Sequence, residues 1–104
     1  MTKPHIVCLC GSTKFKSAFE RAVLEESLKG HIVLSVACFT HHDGMTFTEE
    51  QKKGFDKLHL QKIEFSDEIL VLNVGGYIGE STKREIAYAT SLGRGIRYWE
   101  TLHV

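Results

Sequence analysis

The sequence predicts a single-domain α/β protein over residues 1–104: an open parallel sheet of about four strands, Rossmann-like or flavodoxin-like, flanked by helices. Three observations predict it. Short apolar runs are too continuous for half-exposed strands, stretches with helical hydrophobic spacing lie between them, and glycines punctuate the junctions. Strands alternating with helices in this way are βαβ units, joined by right-handed crossovers into a mainly parallel sheet.

Element by element, Ile6, Val7, Cys8, Leu9 and Cys10 form an uninterrupted apolar run ending at Gly11, the pattern of a strand covered on both faces. Residues 14–28 read as a helix with Phe15, Ala18, Phe19 and Ala22 on one face and Gly30 just past its end. Residues 32–39 form a second apolar run. The polar loop His41-His42-Asp43-Gly44 follows. Residues 48–65 read as a helix facing Phe55, Leu58 and Ile63 inward, weakened by Gly54. Residues 69–74 are the third buried strand, and a glycine-rich loop over 75–79 leads to a helix over 82–92 closed by Gly93. Residues 96–99 complete the sheet, with the first strand expected at its centre. In open sheets of this kind ligands bind beyond the carboxyl ends of the strands, where the strand order reverses. That rule gathers residues 11–14, 41–44 and 73–85 at one end of the molecule.

Composition excludes some functions. The chain has 13 basic and 13 acidic residues, a formal net charge of zero, so no footprint for a nucleic-acid polymer or an anionic membrane is expected. Any phosphate recognised should be one local group. No apolar stretch approaches the ~20 residues of a membrane span, and the N-terminus has no signal-peptide pattern, so a cytoplasmic protein is expected. The three cysteines, Cys8, Cys10 and Cys38, include no CxxC pair. They read as buried reduced thiols, with no metal and no organic cofactor expected.

Three constellations carry chemistry. In Gly11-Ser12-Thr13-Lys14 a buried strand turns into a helix, where backbone amides, two hydroxyls and an ammonium can hold an anion; ordinary N-capping by Ser12 or Thr13 is the alternative. The second runs from Asn73 through Tyr77 to Ser81, Thr82 and Glu85. Thr82 and Glu85 have capping-box spacing, so Glu85 is either the far end of a cap or a functional carboxylate. In the first helical turn its pKa should be lowered, suiting a nucleophile and disfavouring a general acid. Third, His41, His42 and Asp43 read as solvated loop polars rather than metal ligands. His59 is expected near the sheet, either as a satisfied, partly buried histidine or as a functional one.

The segments CGSTKF, SDEILVLN and GESTKREIAYATSLGRGI together resemble the nucleoside 2-deoxyribosyltransferase-like superfamily, above all its small N-glycosidases of (deoxy)nucleoside 5′-monophosphates. The resemblance implies a glutamate nucleophile at Glu85, within Glu85-Ile86-Ala87-Tyr88-Ala89. It also implies a 5′-phosphate loop at Gly11, Ser12, Thr13 and Lys14, with Ser81 and Thr82 as further contacts. Asn73 and His59 stand where members often place carboxylates, which leaves His59 or Asp56 to protonate the leaving base. Tyr77 and the loop over 41–44 are expected to wall the base. A homodimer completing each pocket from the partner is expected, since only four residues follow residue 100. Transfer to a second base, or nucleotide sensing without turnover, are the alternatives.

Overall fold

The computed structural model describes residues 3–39 and 43–100. Four strands, β1 (Ile6–Cys10), β2 (Ile32–Leu34), β3 (Glu68–Val71) and β4 (Gly95–Tyr98), form one sheet in the order β2-β1-β3-β4. Every pairing is parallel. The strand β1 lies inside the sheet because its apolar run can be covered on both faces. Val7 and Leu9 pack with Leu70, Leu72, Phe19 and Ala22 on one side; Cys8 and Cys10 pack with Ile63, Ile69, Val71 and Ala89 on the other.

Helix α1 (Lys16–Leu28) covers the first face. Helices α2 (Glu49–Phe65) and α3 (Glu80–Ser91) pack against each other and cover the second. Both predicted glycine stops hold. Gly30 and Gly93 adopt positive φ of 84° and 71° just past α1 and α3, a conformation that glycine takes without a Cβ clash.

The structure departs from the sequence reading in places that matter for the site. The strand β2 ends at Leu34 rather than near Phe39; beyond it the backbone leaves the ladder, and the Ser35 carbonyl accepts from Lys62 Nζ at 2.7 Å. This frees residues 36–38 to form a wall. On α2 the inward stripe is Phe55, His59 and Ile63, at i, i+4 and i+8, so Leu58 falls outside it and is 52% exposed. Thr48 caps α2 with a reciprocal capping box to Gln51. Helix α3 starts two residues before the expected position, at Glu80, with Gly79 as its N-cap.

One network was not foreseen. Glu26, 2% exposed, receives Arg97 at 2.6 and 3.1 Å, Lys29 at 2.9 Å and His31 at 3.0 Å. Arg97 also binds Glu68 at 2.7 Å, so α1, β3 and β4 are tied by charge-assisted bonds. Among the described residues no helix is long and apolar enough to cross a membrane.

Candidate active site

The strand order reverses between β1 and β3, and the segments leaving their carboxyl ends open a pocket of about 600 Å³. That volume suits a small organic ligand. One side is the β1–α1 turn, Gly11, Ser12 and Thr13; facing it are Gly79, Glu80, Ser81 and Thr82 at the start of α3. Val36, Ala37 and Cys38 form a wall, with Phe47 and Phe55 beside it in edge-to-face contact at 5.0 Å. His59, Asp56 and Glu85 project from α2 and α3 into the same space.

The N-terminus of α3 has no side-chain cap, because Gly79 has none to offer. Its first amides therefore lack intrahelical acceptors at the pocket edge, where an anion is favoured. Arg84 lines the pocket, and its side chain makes no hydrogen bond or ion pair among the described residues. Gly11 has a packing reason to be glycine, since a Cβ there would stand 3.2 Å from Leu72. Lys14 does not line the pocket. Its ammonium lies 3.7 Å from the Tyr77 ring centroid, a cation–π contact, and Tyr77 itself is a lining residue.

Asn73 is placed elsewhere. Its buried amide donates to the Glu100 carbonyl at 3.2 Å and accepts the Glu100 amide at 2.8 Å, while the Glu100 carboxylate accepts Gly75 N–H at 2.9 Å. These bonds clamp the turn after β3 and leave Asn73 outside the pocket lining. Of the 41–44 loop, His41 and His42 lie outside the described residues, and Asp43 pairs with Lys16 at 2.9 Å.

The carboxyl of Glu85 corrects the electrostatic expectation. Because α3 begins at Glu80, Glu85 stands in the second turn, beyond a capping box and beyond the strongest field of the helix terminus. Its side chain is only 17% exposed. Burial raises its pKa, and the nearby His59 imidazole opposes that rise without cancelling it. His59 Nε2 stands 3.8 Å from Glu85 Oε1. Burial works against the charged imidazole, but the Cys8 hydrogen bond, the Cys8 charge and Glu85 outweigh it and raise its pKa.

Behind His59 lie two thiols that sequence reasoning treated as inert. Cys10 Sγ is 3.5 Å and Cys8 Sγ 3.8 Å from His59 Nε2. The pair shares its protons unequally. Cys8 is lowered to about 6, mainly by the hydrogen bond from Cys10, while Cys10 is held protonated by that same bond and by burial. A signal for this was present: residues i and i+2 of a strand share one face. Their partner His59, 49 residues from Cys10, could be supplied only by the fold.

The fold and site define a Rossmann-like α/β protein with a carboxylate-and-imidazole pocket at the topological switch point. No protein-family model matches the chain, and no curated protein is significantly similar to it.

Proposed function

We propose that this chain is an N-glycosidase that hydrolyses the base–sugar bond of a (deoxy)nucleoside 5′-monophosphate. The observation that carries the reading is Glu85: a largely buried carboxylate on a pocket of nucleotide size, 3.8 Å from an imidazole and facing an anion-suited edge. The likeness of its surrounding segments to the 2-deoxyribosyltransferase-like superfamily supports the same assignment.

The 5′-phosphate is held between the Gly11-Ser12-Thr13 turn and the start of α3, with Ser81 and Thr82 supplying hydroxyls and Lys14 a nearby positive charge. This remote binding energy fixes the sugar over Glu85. Glu85 attacks the anomeric carbon as the base departs, forming a glycosyl ester that water opens to sugar 5′-phosphate. Its burial aids this step. A carboxylate stripped of water gains more from a developing oxocarbenium charge than a solvated one. His59, biased toward imidazolium, delivers the proton to the leaving base; Asp56 is the other proton donor within the pocket. Tyr77, Phe47 and Phe55 provide faces for the base.

Two observations favour nucleotide sensing without turnover instead: burial biases Glu85 toward its neutral form, and the side chain of Asn73, where a second carboxylate would stand, is engaged by Glu100. Incubation with a panel of nucleoside and deoxynucleoside monophosphates, followed by chromatography for free base, separates the readings. Base and sugar 5′-phosphate in equal amounts are expected. Saturable binding without base release would install the sensor reading.

The protein acts in the cytoplasm as a homodimer. Leu24, Leu28 and Ile32 are 60%, 78% and 45% exposed on α1 and the edge strand β2, apolar surface suited to a second copy.

A further inference from the structure

The side chains of Cys8, Cys10 and His59 form a compact donor set on the inner wall of the pocket. Their Sγ, Sγ and Nε2 atoms all lie within 4.8 Å of one another, and all three residues are buried. We propose that these three residues bind one thiophilic divalent cation of the zinc class, with its fourth coordination position open toward Glu85 and the pocket.

The geometry is close to what such an ion requires. Tetrahedral zinc with bonds of about 2.3 Å to sulfur and about 2.0 Å to nitrogen sets sulfur–nitrogen edges near 3.5 Å. The two sulfur–nitrogen edges here are 3.5 and 3.8 Å, and the sulfur–sulfur separation is within 4.8 Å, against about 3.8 Å in the tetrahedron. The fold holds them there for separate reasons. Cys8 and Cys10 are fixed on one face of the interior strand β1, and His59 is fixed by the α2 stripe that packs on that face.

Charge also fits. Two thiolates and a neutral imidazole neutralise a divalent ion, and a neutral assembly is the form that a buried site tolerates. With the ion bound, His59 Nε2 is a ligand, and delivery of a proton to the leaving base falls to Asp56. Binding releases the thiol protons to solvent, so no oxidant or other co-reactant is needed. Soft sulfur donors select zinc-class ions over magnesium or calcium. Access runs through the pocket, because His59 lines it while the two sulfurs lie behind. Glu85 Oε1, 3.8 Å from His59 Nε2, stands on the open side. Three protein ligands with an open position is the arrangement of an ion that can meet a ligand rather than one that only staples a fold.

The test uses cobalt(II), whose thiolate charge-transfer and visible bands report sulfur ligation without any activity assay. Reduced, chelator-stripped protein should develop both bands, saturate at about one equivalent and lose them to zinc. Cys38→Ser should bind as the unaltered chain does. Cys8→Ser, Cys10→Ser and His59→Gln should each weaken cobalt at least tenfold, with circular dichroism confirming the fold. Should a variant not fold, X-ray absorption of the zinc-loaded natural chain decides: two sulfur neighbours at about 2.3 Å are expected. A zinc shell without sulfur, no thiolate band in the natural chain, or undiminished affinity in the Cys8→Ser/Cys10→Ser double variant overturns the assignment. Because the readout is spectroscopic, failure of base release leaves this result standing, and the converse holds.

Discussion

At the scale of single residues, the pocket turns on the difference between Glu85 as a cap and Glu85 as a reacting group. The cap is ruled out by position, since Gly79 and not Thr82 opens α3. Burying a carboxylate that would rather be hydrated costs stability, and a raised folded-state pKa has that sign: the unfolded chain ionises more readily, so ionisation disfavours folding. Glu85→Gln should therefore melt no lower than the natural chain at neutral pH. Its base release should fall at least about a hundredfold, ~2.7 kcal/mol of barrier. A thermal melt beside a turnover assay checks both halves. Turnover retained at natural stability would end the glycosidase mechanism.

At the scale of elements, the proposed phosphate recognition rests on two segments that line one pocket, the β1–α1 turn and the start of α3. The uncapped N-terminus of α3 places amides, Ser81 and Thr82 beside Ser12 and Thr13. Ser81→Ala and Lys14→Ala should each weaken a nucleoside 5′-monophosphate by about 1–2 kcal/mol while hardly changing affinity for the unphosphorylated nucleoside, by calorimetry. Equal losses for both ligands would move the phosphate elsewhere in the pocket. Helix α2 gives an independent check on the fold. It begins with a reciprocal capping box, and Thr48→Ala should cost about 1 kcal/mol in denaturant unfolding without affecting ligand binding.

At the scale of the whole molecule, the buried Glu26 carboxylate joins α1 to Arg97 of β4, and Arg97 reaches Glu68 of β3. The Arg97 guanidinium, aided by Lys29 and His31, holds the Glu26 carboxyl far below the usual range against the effect of burial. A depressed folded-state pKa contributes stability that is complete above the unfolded value of about 4.3 and is lost as pH falls below it. Denaturant midpoints should therefore drop between pH 4 and pH 2, and Glu26→Gln should flatten that slope. Arg97→Met, which leaves the carboxylate buried with fewer partners, should cost about 3–5 kcal/mol at pH 7. Light scattering at micromolar concentration addresses assembly. A dimer mass that Leu28→Glu reduces to a monomer is expected, and a monomer in the natural chain would overturn the proposed homodimer.

The parallel sheet, the interior place of β1 and the helix stops at Gly30 and Gly93 were legible because each depends on local information: continuous apolar runs, helical periodicity and the one residue without a Cβ. The turn at residues 11–13 and the segment around Glu85 were legible as pocket walls for the same reason, since a strand running into a helix has a recognisable chemical outline, while Lys14 lies outside the lining. What escaped depends on register and on distance. Two residues of shift at the start of α3 moved Glu85 out of the helix terminus, so its carboxyl is raised by burial rather than lowered by the dipole. Asn73 was assigned to the ligand, but its partner Glu100 is 27 positions away. Arg97 reaches Glu26 across 71. Cys8 and Cys10 carried their shared face in their spacing, yet only the packing of α2 on β1 brought His59 against both sulfurs. Local propensity decides which elements form; long-range packing alone decides which side chains meet and how much water is left between them, and the chemistry of this pocket depends on both.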